Sequence, residues 1–312
     1  MKIAVVTGTS SGIGLTTSLY LAEHGYKVFA GMRNTSKAVA LQEAAVEKNL
    51  DVTVIQLDVC DPASVNAAFR KIEETGPVDL LVNNAGIGGS SPLELTPEEE
   101  HRQYFETNYF GAVSCIQAVI KSMRERKTGC IVNITSAVGL MATPNQIGYS
   151  ASKWALECLG ESLAHELYRF GVRVVNIEPG VIMTNIFENS AEQTRYDKTS
   201  PYQPIMRRNG KIFMAGFQRA VGPEAVAETI LEAATTDEYK LRWPVGSDAE
   251  GFMGQETAFP QKNGSRWEAI YRTKNTTLDF SRCMACNYRF ILLGQLPIIG
   301  IGIPLVWLLA NA

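Results

Sequence analysis

The chain is poor in the residues that would mark several large classes of function. Histidine occurs three times in 312 residues, as His24, His101 and His165, and the three are dispersed. No metal site built on imidazole is expected, no metal is required, and the three rings read as surface or packing residues. There is no Lys/Arg-rich run, and a net charge of −3 offers no basic field to a nucleic acid. Cysteine builds no framework: Cys60, Cys115, Cys130 and Cys158 fall singly in apolar or helical segments, the setting of reduced, core-packed thiols. Cys283 and Cys286 form one C-x-x-C, but a structural zinc takes about four ligands and no second pair accompanies them. The N-terminus runs straight into Ile3-Ala4-Val5-Val6 with no cationic stretch and long apolar run, so no secretory leader is expected and the body of the chain is expected in the cytoplasm. Repeats and low-complexity segments are lacking, and 46% hydrophobic with 20% charged residues is the balance of an ordered globular chain.

What is present is an alternation. Short β-branched runs at Ile3–Thr7, Lys27–Gly31, Val52–Leu57, Asp79–Val82, Cys130–Thr135, Val172–Glu178 and Leu241–Val245 read as strands. Helical patterns lie between them, at Gly14–His24, Ala63–Glu74, Pro97–Arg126, Gly148–Phe170 and Pro223–Ala234. Such alternation implies βαβ units, hence an α/β doubly wound parallel sheet of the Rossmann type, with its ligand site at the carboxyl ends of the strands. Residues 1–248 are expected to form this single catalytic domain, followed by an extension over 249–289 and a hydrophobic tail over 290–310. Within the domain, residues 186–222 break the rhythm with polar residues mixed among Tyr196, Tyr202, Ile205, Met206, Ile212, Phe213, Met214 and Phe217. A long insertion at the carboxyl edge of a sheet reads as a substrate-binding loop or lid.

Thr7-Gly8-Thr9-Ser10-Ser11-Gly12-Ile13-Gly14 stands between the first strand and the first helix. Gly8 permits a tight turn, Gly12 lets backbone approach a pyrophosphate, and Gly14 allows close packing of helix on strand. The helix N-terminus then meets the phosphates with unpaired N–H groups and the positive end of its dipole. The spacing Gly-x-x-x-Gly-x-Gly departs from the commoner Gly-x-Gly-x-x-Gly. The second strand ends in Ala30-Gly31-Met32-Arg33, without the carboxylate that would hold ribose hydroxyls. Arg33 can pair with a 2′-phosphate that an Asp would repel, which favours NADP(H) over NAD(H).

Tyr149 and Lys153 lie one helical turn apart and share a face. Ser136 follows the Cys130–Thr135 run, where a side chain emerges at the rim of the sheet, and Asn108 sits mid-helix, a poor place for Asn unless its side chain has a partner. With Thr7–Gly14, Asp58-Val59, Asn83-Asn84-Ala85-Gly86, Asn108, Ser136, Tyr149/Lys153, and Pro179-Gly180 followed by Thr184, residues 1–246 closely resemble the short-chain dehydrogenase/reductase family. The resemblance implies Tyr149 as general acid/base, Ser136 as the group polarising a carbonyl, and Asn108 as part of a proton relay. It implies cofactor contacts from Gly8, Ser10, Gly12, Ile13, Gly14, Arg33, Asp58, Val59, Asn84, Ala85, Gly86, Tyr149, Lys153, Pro179, Gly180 and Thr184. Asp58 also suits a helix cap before Pro62. The chemistry agrees: a phenol ionises near ~10, and a lysine cation close by favours the phenolate.

Ser136–Met141 and the aromatic segment suggest an apolar pocket, and the Arg33 pattern resembles the NADP-preferring hydroxysteroid and retinol dehydrogenase branch. A lipophilic alcohol or carbonyl is therefore the expected substrate, with small carbonyl or fatty-acyl substrates as alternatives. A non-catalytic NADP-binding sensor or scaffold is the competing class, which the retention of Asn108, Ser136, Tyr149 and Lys153 disfavours. Phe290–Ala310 has no charged residue and Gln295 as its clearly polar side chain. It reads either as a membrane attachment on the cytosolic face or, given Pro297, Pro304 and its glycines, as a lid or subunit contact. The resemblance further implies a homodimer or homotetramer through the long helices.

Overall fold

Seven aliphatic, largely β-branched runs assemble into one sheet in the computed structural model, which describes residues 1–184, 194–195, 197–247 and 249–250. The strands are Lys2–Thr7 (β1), Tyr26–Met32 (β2), Val52–Gln56 (β3), Leu80–Asn83 (β4), Cys130–Ile134 (β5), Arg173–Pro179 (β6) and Arg242–Val245 (β7). Every pairing is parallel, in the order β3-β2-β1-β4-β5-β6-β7. Strands β4 and β5 are buried along their whole length, as expected where helices cover both faces of a parallel sheet.

The helices are Gly12–Glu23 (α1), Val39–Glu47 (α2), Pro62–Glu73 (α3), Glu98–Phe105 (α4), Gly111–Arg126 (α5), Ile147–Leu167 (α6), Gln203–Phe217 (α7) and Pro223–Thr235 (α8). Val65, Phe69 and Ile72 of α3, Cys115, Val119 and Met123 of α5, and Leu163 and Leu167 of α6 fill one face with Val5, Leu81, Ile131 and Val174. Leu21 of α1 and Val226, Ile230 and Ala233 of α8 cover the other, over Val6, Val82, Val132 and Ile177. The strand order reverses between β1 and β4, so a crevice opens beyond their carboxyl ends, where ligands bind in sheets of this kind.

The expected strands all form, with ends moved by a residue or two. Three expectations need revision. The helical stretch Pro97–Arg126 is not continuous: α4 and α5 are joined by a π-helical turn, Glu106–Phe110. The segment 186–222 is not wholly irregular, because Gln203–Phe217 is helical, with Pro204 in its first turn and Met206 buried. Met206, Asn209, Phe213 and Phe217 recur at helical spacing, a period that Gly210 and Gly216 obscure by lowering helix propensity. Cys115 and Cys130 are core thiols as expected, whereas Cys60 and Cys158 are exposed, the first in the turn before α3 and the second on the outer face of α6. Residues 186–193 and 196, Asp248, the C-x-x-C at Cys283 and Cys286, nearly all of the extension 249–289, and the tail 290–310 lie outside the described residues. Among the described residues no helix is long and apolar enough to cross a membrane.

Candidate active site

The turn after β1 is shaped by positions where no side chain fits. Gly8 has φ +70° and a Cβ there would lie 2.7 Å from Ala85 Cα; Gly12 has φ +55° and its Cβ would press on Thr184 at 3.1 Å. A Cβ on Gly14 would collide with the Gly8 carbonyl oxygen and the Asn84 amide, so α1 can sit this close to the turn only through glycine. Thr7 and Asn84 lock the two sides of the crevice together. The Thr7 hydroxyl accepts from the N–H groups of Asn84 (3.0 Å) and Ala85 (2.9 Å), and Asn84 Nδ2 donates to the carbonyls of Thr7 (2.8 Å) and Gly8 (3.0 Å). Thr9 donates its hydroxyl to Gly31 O at 3.1 Å, tying the turn to β2. Ser11 stands at the N-cap of α1 without a side-chain cap, and no acidic residue lies in the first turn, which leaves the helix start suited to an anion. Ser10 and Ile13 border this turn half-buried.

Arg33 follows β2, is exposed, and has no ion pair or hydrogen bond among the described residues. Its charge and that of Asp58 both act on Cys60, so the ends of β2 and β3 form one rim. Asp58 accepts from the Cys60 N–H (3.1 Å), while the cap of α3 is Asp61, which accepts from the Ala63 N–H (2.9 Å). The capping reading of Asp58 therefore gives way, and the residue belongs to the rim. Val59 is buried against Gly111.

Helix α6 carries Tyr149 and Lys153 on one face, with the ammonium 5.9 Å from the centre of the phenol ring. Lys153 is 5% exposed and donates to Ile134 O at 2.8 Å. Burial pulls its ammonium down to about 8, against an opposing push from the carboxylate of Glu157. Burial also raises the Tyr149 phenol above its ordinary value, an effect partly reversed by a hydrogen bond with Ser136. Ser136 begins the 3-10 turn Ala137–Gly139: its hydroxyl accepts from the Val138 N–H (3.3 Å) and faces the Pro179 carbonyl (3.4 Å). Gly180 continues the site, its N–H bonded to Val245 O (2.9 Å).

The π-helical turn explains Asn108. It aims the buried amide out of the helix: Nδ2 donates to Ile87 O (3.0 Å) and Ser152 Oγ (2.9 Å), while Oδ1 accepts from the Ile87 N–H (2.8 Å). Ser152 in turn donates to Tyr149 O (2.7 Å). Gly86 lies where a Cβ would meet Asn108 Oδ1 at 3.2 Å and Lys153 Nζ at 3.5 Å. The residues expected at the site thus gather at the carboxyl ends of β1, β4, β5 and β6, with Arg33 and Asp58 on the rim beyond β2 and β3. Thr7 was read as part of the turn motif but not as the clamp on Asn84 and Ala85, and Ser152 and Glu157 were not anticipated. The last two had a signal in their spacing, since each lies one turn of α6 from Tyr149 or Lys153.

Comparison with known proteins agrees with this geometry. Residues 2–195 match the family described as short chain dehydrogenase. A 3-ketodihydrosphingosine reductase of Bacteroides thetaiotaomicron is 32% identical over 78% of this chain and 88% of its own length. Human retinol dehydrogenase 8 is 41% identical over 59% of this chain and 60% of its own. Among solved structures, a short-chain dehydrogenase from Streptomyces avermitilis superposes with a TM-score of 0.74 at 31% identity, over 87% of this chain and 97% of that one. A gluconate 5-dehydrogenase from Burkholderia cenocepacia in complex with NADP and tartrate gives 0.68 at 26%, over 80% and 95%.

Proposed function

The chain belongs to the short chain dehydrogenase family of oxidoreductases, and we propose that it is an NADP(H)-dependent enzyme interconverting a lipophilic alcohol and its ketone or aldehyde. The observation that carries this reading is the meeting of Ser136, Tyr149 and Lys153 beside the glycine turn. The cradle fits the cofactor: Gly8, Gly12 and Gly14 leave bare backbone where a Cβ would clash, and the start of α1 is uncapped. Gly8–Gly14 with Ser10 and Ile13 would hold the pyrophosphate, Arg33 the 2′-phosphate, and Asp58 and Val59 the adenine side. Asn84–Gly86, Lys153, Pro179, Gly180 and Thr184 would flank the nicotinamide half. When bound, NADP(H) supplies or accepts the hydride.

The remaining work falls to the chain. Burial keeps the Tyr149 phenol protonated, the form that donates a proton to a carbonyl oxygen becoming an alcohol. Ser136 donates to the same oxygen and stabilises the charge that develops there. Lys153 presents a cation that eases loss of the phenolic proton. Asn108 and Ser152 hold the start of α6 in register and form the inner end of a proton path.

A lipophilic substrate is supported by two relatives whose names specify a retinol and a ketodihydrosphingosine. The exposed Met141, Met183, Ile205, Ile212 and Met214 support it too, as does a cleft of about 480 Å³ along α7 between Met206 and Met214. That cleft touches none of the catalytic side chains, so α7 is assigned to specificity and not to chemistry. Residues 1–248 act as the catalytic domain and 186–222 as the substrate segment, with 290–310 as either an attachment to the cytosolic face of a membrane or a lid or subunit contact. Exposed Phe110, Ile147 and Trp154 near α5 and on α6 support pairing into a homodimer or homotetramer.

The test is oxidation of NADPH, with NADH in parallel, by full-length protein against retinoid, steroid, aliphatic and small aromatic carbonyls, with and without detergent. Turnover confined to lipophilic carbonyls with NADPH is expected. Tight NADPH binding with no turnover on any of them would replace this reading with that of a sensor.

A further inference from the structure

One strand register before the catalytic ends, the apolar sheet is crossed by a rung of polar residues. Asn83 of β4, Asn133 of β5, Asn176 of β6 and Arg242 of β7 are partners in successive pairings. The three asparagines are at most 3% exposed and their amides chain in one direction. Asn83 Nδ2 donates to Asn133 Oδ1 (3.0 Å), Asn133 Nδ2 to Asn176 Oδ1 (3.2 Å), and Asn176 Nδ2 to Glu157 Oε2 (2.8 Å). Arg242 closes the chain from the far side, with Nε donating to the same Glu157 oxygen at 3.2 Å and Nη2 to Glu161 Oε2 at 2.8 Å. The row ends on the Glu157 carboxylate, which Asn176 and Arg242 reach directly, and aligned amides strengthen one another in a medium of low polarity.

That carboxylate belongs to the residue one helical turn after Lys153. Its Cγ lies where a Cβ on Gly139 would sit 3.2 Å away, and Gly139 closes the turn that begins at Ser136. Gly160 makes room for the row, since any Cβ there would overlap the Asn176 amide. We propose that Glu157 is a positioning residue whose carboxylate, fixed by Asn176 and Arg242, holds Lys153 in its cationic form and seats the Ser136 turn. This rests on the proposed oxidoreductase reading for its purpose, but not for its measurement.

The charged and titratable groups around Glu157 are Lys153 and Glu161 one turn either side of it on its own helix, Glu178 on β6 and Arg242 on β7, and Tyr149 lies beside Lys153 from the preceding turn. Burial raises both inner carboxyls above the ordinary range, Glu178 far more than Glu157. Glu178 is fully buried with the Arg242 Nε no nearer than 4.0 Å, whereas Glu157 takes direct bonds from Asn176 and Arg242. Asn176 and Arg242 thus favour the charged form at Glu157, against the burial that disfavours it at both carboxyls.

The experiment follows the titration of Lys153 in full-length protein by NMR of lysine labelled with ¹³C at Cε, beside the pH profile of NADPH-dependent reduction. In Glu157→Gln the Lys153 midpoint should fall by about one pH unit, the order of effect of removing an opposite charge one helical turn away in a partly polar interior. The alkaline limb of the activity profile should fall with it. Glu157→Asp keeps the charge and should titrate like the parent. An unchanged midpoint in folded Glu157→Gln, or equal shifts in the Gln and Asp variants, overturns the inference. If Glu157→Gln does not fold, Asn176→Ala should move Lys153 in the same direction by less, and no movement there overturns it equally. Since the NMR titration needs no turnover, an inactive protein with a shifted lysine refutes the proposed function alone. An active one with an unshifted lysine refutes only the role of Glu157.

Discussion

Replacing Lys153 with Met should abolish catalysis and yet make the cofactor-free protein more stable at neutral pH. The lysine is 5% exposed, and its ammonium falls from an ordinary 10.5 to about 8, chiefly through burial. At about 1.4 kcal/mol per pH unit, keeping that buried ammonium charged costs the folded state about 3 kcal/mol. Methionine is close in length and apolar, so it removes the cost while filling the space. It also leaves the Ile134 carbonyl without its donor, which returns about 1 kcal/mol. A net gain of about 2 kcal/mol is expected, or about 4–8 °C in melting temperature for a domain of this size. The pH dependence is the sharper test. Below pH 8 folded and unfolded chains both hold the lysine proton and the full cost stands; between 8 and 10.5 the folded chain releases it first and the cost fades. The advantage of Lys153→Met in urea unfolding, followed by tryptophan fluorescence, should thus be complete at pH 7 and nearly gone at pH 10. A variant no more stable than the parent at pH 7, or an advantage that does not change with pH, would refute the assignment of Lys153 as a buried, strained cation.

Tyr149→Phe should lower kcat by about two to four orders of magnitude while NADPH still binds, read by steady-state rates and fluorescence titration; retained turnover would mean another acid. Arg33→Asp should weaken NADPH binding by roughly tenfold to a hundredfold and narrow its lead over NADH, and an unchanged ratio would remove the 2′-phosphate contact. Gly14→Ala puts a methyl group against a backbone carbonyl that cannot swing aside, so it should cost about 1–3 kcal/mol in unfolding and lose NADPH affinity; a neutral outcome would show that the turn yields.

The strands were legible because each is short, aliphatic and bounded by turn residues, and parallel burial on both faces writes them as continuous apolar runs. The glycines of the first turn were legible for the same local reason: each answers a steric demand within a few residues of itself. Asn108 was half legible. Its type was wrong for a helix interior, which signalled a partner, but nothing in Pro97–Arg126 announced the π-helical turn that turns the amide outward. The polar rung is written three times over, as Val82-Asn83, Val132-Asn133 and Val175-Asn176, and of these Asn83 alone falls within the family signature. An asparagine in a strand carries no meaning until strand order puts it beside another, and β4-β5-β6-β7 adjacency is a property of the folded sheet. Helix α7 escaped because Gly210 and Gly216 weaken its propensity, while its burial rests on one face touching the domain.

Burial acts on the two reacting groups in opposite senses and against the charged form of each, lowering Lys153 and raising Tyr149. A dry site of this kind would drift toward a neutral amine beside a neutral phenol, and the pair would lose the charge by which one assists the other. Within the described chain the opposing influence on Lys153 is Glu157, itself a buried carboxyl that needs donors to stay ionised. Those donors cannot come from α6, whose backbone groups are spent in the helix, so they come from the sheet beneath it. Asn176 on β6 and Arg242 on β7 supply them, and Asn133 and Asn83 on the next two strands continue the row behind Asn176. The polar rung is therefore where the fold and the chemistry meet: the sheet accepts buried amides that contribute little to its core so that a lysine one layer above keeps its proton.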